Sequence, residues 1–135
     1  MNDESCSNHF IQYGAIEALT GDQSGCKRII DTLRVRRDKA VELLSAMPGV
    51  RCFRPEATFY VFPNVTGLMH RKGLTDYDAF RVTCLEKTGV SFCTRRHFGR
   101  PLEGEKELYI RLAYSGIDLG DIEEGLGRLA GFAQA

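Results

Sequence analysis

Residues 108–114 read Leu-Tyr-Ile-Arg-Leu-Ala-Tyr, and this stretch decides the fold of the chain. Side chains along a β-strand point alternately to its two faces. One face therefore carries Leu108, Ile110, Leu112 and Tyr114, and the other carries Tyr109, Arg111 and Ala113. We expect the apolar face to pack against helices and Arg111 to stand on the opposite face of a sheet.

The segments on either side of this strand supply helices for that packing. Asp118 is a typical N-cap residue for the helix that follows it. The apolar stripe of that helix is formed by Leu119, Ile122, Leu126 and Leu129. Upstream, Thr75-x-x-Asp78 resembles a capping box and predicts a helix that ends at Thr88, where Gly89 can close it.

The rest of the chain alternates between helical and extended patterns. The remaining predicted segments are helices at 9–19 and 24–47, strands at 50–53, 58–62 and 90–93, and loops at 64–74 and 94–107. The two strands around Pro55 are expected to pair as a hairpin. This order predicts an α+β fold, with a small mixed or antiparallel sheet, helices packed on one face, and a long helix before it.

Composition excludes several classes of function. Hydrophobic residues make up 43% of the chain and charged residues 27%, with a formal net charge of zero. A nucleic-acid or anionic-membrane binder would carry a basic excess, and no apolar run approaches the ~20 residues that span a bilayer. The cysteines and histidines lack zinc-ligand spacing, so we expect no metal site, free thiols and a cytoplasmic protein.

Arg111 is the leading candidate for a binding residue. Its planar guanidinium matches a carboxylate with two parallel hydrogen bonds. A solvated surface arginine, or one paired with a nearby acid such as Glu107, would show the same pattern. The same two interpretations apply to the loop that carries Arg95, Arg96, His97 and Arg100: it is either an anion-binding site or a solvated surface loop.

The chain offers no clear catalytic residue of its own. Ser24-x-x-Lys27 matches a short pattern found in serine acyl-enzymes and in lysines that form Schiff bases. Its partner motifs are absent, and Lys27 lies at the start of an amphipathic helix, where a solvated lysine is ordinary. We therefore assign it no catalytic role.

Several segments, in order, resemble class I/II aminotransferases of the aspartate-aminotransferase group, which have fold type I and depend on pyridoxal phosphate. The best marked is the Phe-Tyr-x-Phe-Pro run at residues 59–63, and the residue 108–129 segment is similar to the family's terminal strand, turn and helix. The loop GVSFCTRRHFG resembles one that usually reads Pro-Gly-Ser-x-Phe-Gly, although Thr94-Arg95 replaces Pro-Gly. The resemblance covers nearly the whole chain.

The resemblance implies roles for four residues. It gives Arg111 the family's site for the substrate α-carboxylate, and it puts Phe59 where an aromatic residue lies near the substrate. Ser7 and Asn8 correspond to a helix start near the partner subunit's cofactor phosphate, within a homodimer. It also implies that residues 1–23 are the end of a large-domain or linker region and that residues 24–135 are the C-terminal small domain, introduced by an interdomain-type helix.

The resemblance also implies what this chain lacks. The family's Ser-x-Ser-Lys segment, its pyridine-nitrogen aspartate and its large-domain phosphate loop have no counterpart here. The chain is thus expected to be the substrate-clamping part of an enzyme that moves an amino group between an amino acid and a 2-oxo acid, not competent alone and not binding the cofactor covalently. The alternative is a non-enzymatic module that binds a small acid or a protein partner through its open sheet face.

Overall fold

The computed structural model describes residues 8–135, so the predicted cofactor contact of Ser7 lies outside the described residues. The helices are α1 (His9–Thr20), α2 (Ser24–Ser45), α3 (Thr66–Arg71), α4 (Tyr77–Thr88) and α5 (Leu119–Gln134). The strands are β1 (Tyr60–Val61), β2 (Cys93–Thr94) and β3 (Ile110–Ala113), and Arg95–Phe98 forms one 3-10 turn. The α+β prediction is confirmed.

The chain divides into two compact units, Met1–Thr32 and Leu33–Ala135, with the division inside α2. In the first unit, Asn8 caps α1, and its side chain accepts a hydrogen bond from the Phe10 amide at 3.3 Å. No residue of α1 is buried, and its helically spaced apolar residues, Phe10, Tyr13, Ile16 and Leu19, are 56% to 81% exposed. The predicted boundary between residues 23 and 24 stays a prediction.

The sheet of the second unit has β3 in the centre, in the order β1-β3-β2, and both pairings are antiparallel. The predicted hairpin between residues 50–53 and 58–62 is not formed as a ladder. Arg51 instead bridges Asn64, and β1 pairs with β3. Thr58, two residues before β1, has φ +69° and departs from extended backbone, so residues 58–62 do not form one continuous strand.

Two predicted boundaries need correction in the middle of the chain. Residues 64–74 were expected to be a loop, but α3 lies within them because Leu68 and Met69 are buried in the core. The N-cap of α4 is Asp76, not Thr75, since the Asp76 carboxylate accepts hydrogen bonds from the Asp78 and Ala79 amides, both at 2.9 Å. Tertiary burial holds the short helix, whereas a single side chain decides where α4 begins.

One hydrophobic core joins the helices to one face of the sheet. Val61 and Ile110, each 1% exposed, supply the sheet side. The helices contribute Ala40 and Leu44 from α2, Leu68 and Met69 from α3, Phe80 and Cys84 from α4, and Ile122, Leu126, Leu129 and Ala133 from α5. Burial of the Cys84 thiol raises its pKa to about 12, so this cysteine is a packing residue with little nucleophilic character.

Gly49 is required by a close approach of two backbone segments. It has φ +80°, and its carbonyl accepts a hydrogen bond from the Leu68 amide at 2.9 Å. A Cβ built on Gly49 would lie 2.5 Å from the Leu68 nitrogen and 2.6 Å from the Gly67 carbonyl carbon. The backbone of Gly67 and Leu68 therefore leaves no room for a side chain at this position, and backbone atoms move aside less easily than side-chain atoms.

We predict that Gly49→Ala destabilises the chain by about 2–4 kcal/mol, through the left-handed conformation and the backbone clash together. The matched control is Gly73→Ala, because Gly73 also has a positive φ, +67°, but nothing lies within 4 Å of its added Cβ. That variant should cost only about 1 kcal/mol. Urea unfolding measures both, and equal losses would show that the predicted clash relaxes.

Candidate functional site

Burial follows the predicted alternation of the terminal strand at Ile110, Ala113 and Tyr114, whereas Leu108 and Leu112 are only partly buried. Ile110 and Tyr114 are 1% and 3% exposed, whereas Arg111 is only partly buried and Ala113 is exposed. The pairing register puts Cys93 opposite Arg111 and Tyr60 opposite Ala113. These three strands therefore bring the Arg111 side chain onto the sheet face away from the core.

Two aromatic rings enclose the Arg111 guanidinium. Its central carbon lies 4.2 Å from the Tyr60 ring centroid and 4.6 Å from that of Phe98. Both rings attract the cation through their electron-rich faces and cover the guanidinium from water. One Nη2 hydrogen is directed to the Cys93 Sγ at 3.8 Å, which is a weak contact. Strong hydrogen bonds in the guanidinium plane remain available to a ligand.

No carboxylate within residues 8–135 forms an ion pair with Arg111, and Glu107, the acid considered from sequence, has other partners. The Tyr109 hydroxyl donates to Glu107 at 2.5 Å, and Arg51 forms an ion pair with it. Both contacts lower the pKa of the Glu107 carboxyl, and the hydrogen bond from Tyr109 has the larger effect. Arg111 therefore carries a positive charge without a local counter-charge in the described part of the chain.

Most of the basic loop is neutralised by other parts of the second unit. Arg95 forms an ion pair with Glu105, with Nε 2.9 Å from Oε1. Arg96 lies 3.3 Å from an Asp76 oxygen and approaches the Tyr77 ring. A hydrogen bond of 3.1 Å from the Thr94 amide to His97 Nδ1 anchors that ring. The loop is thus held to the sheet and to α4, and these contacts favour a structural role over a free anion site.

Phe59 and Asn8, the other predicted site residues that are described, occupy different settings. The Phe59 ring is 40% exposed and its centroid lies 4.5 Å from that of Tyr60, one of the two rings on Arg111. The Phe59 carbonyl accepts a hydrogen bond from the Tyr114 amide at 3.1 Å, which fixes the backbone there. Asn8 caps α1 in the first unit, and its predicted cofactor contact stays a prediction.

An aromatic cluster around Arg111 was missed from sequence. The Phe62 ring stacks on the Tyr109 ring at 5.3 Å and 4°, and meets the Phe98 ring edge-on at 6.2 Å. The alternation of Thr58 to Phe62 could have indicated Tyr60 and Phe62, because they flank the buried Val61. Phe98 matches the Phe of the Pro-Gly-Ser-x-Phe-Gly pattern, but no sequence signal indicates that its ring meets Arg111, which it reaches only through the fold of its loop.

A cavity of about 430 Å³ lies elsewhere, on the core side of the sheet. Its wall is mostly apolar and includes Leu44, Val61 and Ile122. Two of the charged residues at this cavity contact other groups, since Arg128 donates to the Thr88 carbonyl at 2.7 Å and bonds Glu124. Arg111 does not line it, so we base no functional argument on this cavity.

Two curated proteins resemble the chain closely. The asparagine–oxo-acid transaminase of Streptococcus mutans is 36% identical over 123 residues, which are 91% of this chain and 30% of that protein. The probable aspartate/prephenate aminotransferase of Aquifex aeolicus is 33% identical over 96% of this chain and 32% of its own length. No family model matches the chain.

The same similarity is seen between structures. The aspartate aminotransferase of Rhizobium meliloti superposes with a TM-score of 0.76 at 26% identity, over 98% of this chain and 32% of that one. The chain belongs to the aspartate-aminotransferase-like family. It corresponds to the C-terminal part of these aminotransferases and spans about a third of the length of the relatives it matches.

Family membership implies pyridoxal phosphate as the cofactor, but the described residues do not fit it. A lysine that forms a Schiff base needs a lowered pKa. Lys39 has the opposite setting, because its hydrogen bond to Glu42 raises its pKa. Lys72 lies over the Phe132 ring, and the remaining lysines, Lys27, Lys87 and Lys106, are exposed. We derive no step through the cofactor within this part of the chain.

The described part of the chain holds no cluster of metal-ligand side chains and no membrane-spanning helix. Between residues 8 and 135, no three His, Cys, Asp or Glu side chains are grouped so as to hold a metal ion. In the same part of the chain, each helix is too short or too polar to cross a membrane.

Proposed function

We propose that Arg111 binds the α-carboxylate of an amino acid or a 2-oxo acid, and that the chain is the substrate-clamping small domain of a pyridoxal-phosphate-dependent aminotransferase. The observation that carries this proposal is the guanidinium held between Tyr60 and Phe98 with no ion-pair partner among residues 8–135. A partly desolvated arginine without a counter-charge is stabilised by an incoming anion.

The geometry favours a carboxylate over other anions of similar charge. The two rings contact the guanidinium without using its N–H groups, and a carboxylate matches the edge of the guanidinium with two parallel hydrogen bonds. Phe59 lies beside Tyr60 and is proposed to line the space next to the bound acid. These groups would orient the substrate at its carboxylate end.

The proposed reaction needs parts that the described residues do not supply. Pyridoxal phosphate, when bound in the complete enzyme, provides the electron sink for amino-group transfer. We propose that a large domain holds it, that the enzyme is a homodimer, and that Ser7 and Asn8 lie near the partner subunit's cofactor phosphate. On this proposal the chain alone clamps the acid and does not transfer an amino group.

The clamping step can be tested on this chain by nuclear magnetic resonance. We expect pyruvate to shift the Arg111 Nε–Hε signal saturably, with a Kd of about 1 mM, the affinity of a few well-made hydrogen bonds. Methyl pyruvate is the matched control, because it has the same shape and no charge. Signals of Arg71, which is exposed on α3, provide an internal reference. Equal shifts with the ester, or equal shifts at Arg71, would contradict the proposal.

A further inference from the structure

The Arg95 side chain binds three backbone carbonyls and one carboxylate of its own loop. Its Nη1 donates to the Gly99 carbonyl at 3.2 Å and to the Phe98 carbonyl at 3.5 Å. Its Nη2 donates to the Arg100 carbonyl at 3.2 Å and to Glu105 Oε2 at 3.0 Å, while Nε lies 2.9 Å from Glu105 Oε1. One guanidinium therefore ties three consecutive carbonyls to a carboxylate further along the same loop.

Glu105 also binds the loop backbone, at Leu102. Its Oε2 accepts a hydrogen bond from the Leu102 amide at 2.8 Å, and its own amide donates to the Leu102 carbonyl at 3.0 Å. The Arg95 and Glu105 side chains are each only 17% exposed, which is less than most ion pairs of this chain. Such a paired and partly buried contact constrains geometry better than an exposed ion pair does.

The loop's other end is fixed by the sheet. The Arg95 amide donates to the Tyr109 carbonyl at 2.9 Å, so Arg95 continues the pairing of β2 with β3. Phe98 lies at the end of the 3-10 turn that Arg95 begins, and Gly99 follows at φ +106°. The direction of the Phe98 ring thus depends on residues 98–100, whose carbonyls accept hydrogen bonds from the Arg95 guanidinium.

We propose that Arg95, through its ion pair with Glu105, is a positioning residue that holds the Phe98 ring against the Arg111 guanidinium. The Tyr60 ring comes from the sheet itself, whereas the Phe98 ring is carried by the loop and meets the Phe62 ring edge-on at 6.2 Å. Without the pair, one face of Arg111 opens to water and its guanidinium can rotate, so a carboxylate loses part of its in-plane fit. The effect on affinity rests on the proposed function, but the effect on the ring does not.

Two variants test the position of the ring directly. Arg95→Lys keeps the charge but cannot span three carbonyls and a carboxylate, and Glu105→Gln keeps the size but removes the charge. An aromatic ring over a guanidinium shifts the Arg111 Nε–Hε proton upfield, and Phe98→Leu defines the signal without that ring. We expect both variants to move the signal toward that of Phe98→Leu. Arg100→Lys, which alters an exposed side chain and keeps its carbonyl, should leave the signal in place.

Carboxylate affinity provides a second, separable measurement. We expect pyruvate to bind Arg95→Lys and Glu105→Gln about 3- to 10-fold more weakly than it binds wild type. We expect the same loss for Phe98→Leu. An Arg111 signal unchanged in both variants overturns the positioning role. A moved signal with unaltered affinity upholds the position of the ring and overturns its contribution to carboxylate binding. If wild type binds no pyruvate, the proposed function fails, while the ring shift still decides the role of the pair. Circular dichroism matching wild type identifies folded variants.

Discussion

Replacing Arg111 by alanine is expected to lower kcat/KM of the complete enzyme about 30-fold to several thousand-fold for every amino acid it accepts. The reason is that the substrate carboxylate would lose its counter-charge and both in-plane hydrogen bonds in a partly desolvated site. Arg111→Lys should also be impaired, since one ammonium group cannot reproduce the bidentate fork. The measurement is single-turnover kinetics of each half-reaction.

Two controls make this result specific to Arg111. Arg71→Ala removes an exposed arginine of α3 and should retain wild-type kcat/KM. The fold should survive Arg111→Ala, because the side chain leaves the sheet on the face away from Val61 and Ile110. Near-normal kcat/KM of Arg111→Ala would refute the carboxylate assignment. Failure of that variant to fold would make the arginine structural.

Phe80→Ala should be among the most destabilising single substitutions in the core, with a loss of about 3–5 kcal/mol in the free energy of unfolding. The Phe80 side chain is 1% exposed, and its ring packs 5.5 Å from the Phe92 ring. Truncation would leave a cavity between α4 and the segment that leads into β2, because rings of this size are not replaced by small shifts of their neighbours. Urea unfolding followed by far-ultraviolet circular dichroism gives the loss.

Leu85→Ala is the matched control on the same helix. Leu85 is 45% exposed, so its truncation removes less buried surface and should cost about 1 kcal/mol or less. A loss at Phe80 no larger than that at Leu85 would mean that α4 does not pack on the core as described. Because α4 also presents Asp76 to Arg96, weakening this helix is expected to loosen the basic loop as well.

Elements with local causes were predictable from sequence alone. The C-terminal end of α4 and the N-terminal end of α5 follow from short-range contacts: Gly89 donates to the Leu85 carbonyl at 2.9 Å in a left-handed cap, and the Asp118 side chain accepts from the Asp121 amide at 3.0 Å. The placing of Arg111 on the face away from the core follows from the two-residue period of a strand. Each of these features depends on residues only a few positions apart.

The strand partners and the surroundings of Arg111 depended on distant residues. Arg111 lies between a ring from β1, Tyr60, and a ring from a turn after β2, Phe98, whose separate positions in the sequence carry no sign that they meet. The same holds for the partner of β1. The sequence pattern predicts residues 50–53 as that partner, whereas in the structure β1 pairs with β3.

The features predictable from sequence and those that were not differ in the range of the contacts that decide them. Caps, turns and strand alternation are decided by hydrogen bonds and side-chain directions within a few residues, and the sequence of this chain determined them by itself. Contacts such as Arg95 with Glu105, or Leu68 and Met69 with the core, form only when burial and long-range pairing select one arrangement among many. The sequence thus determined that an arginine stands on the open face of a strand, and only the tertiary structure decided that two aromatic rings enclose it.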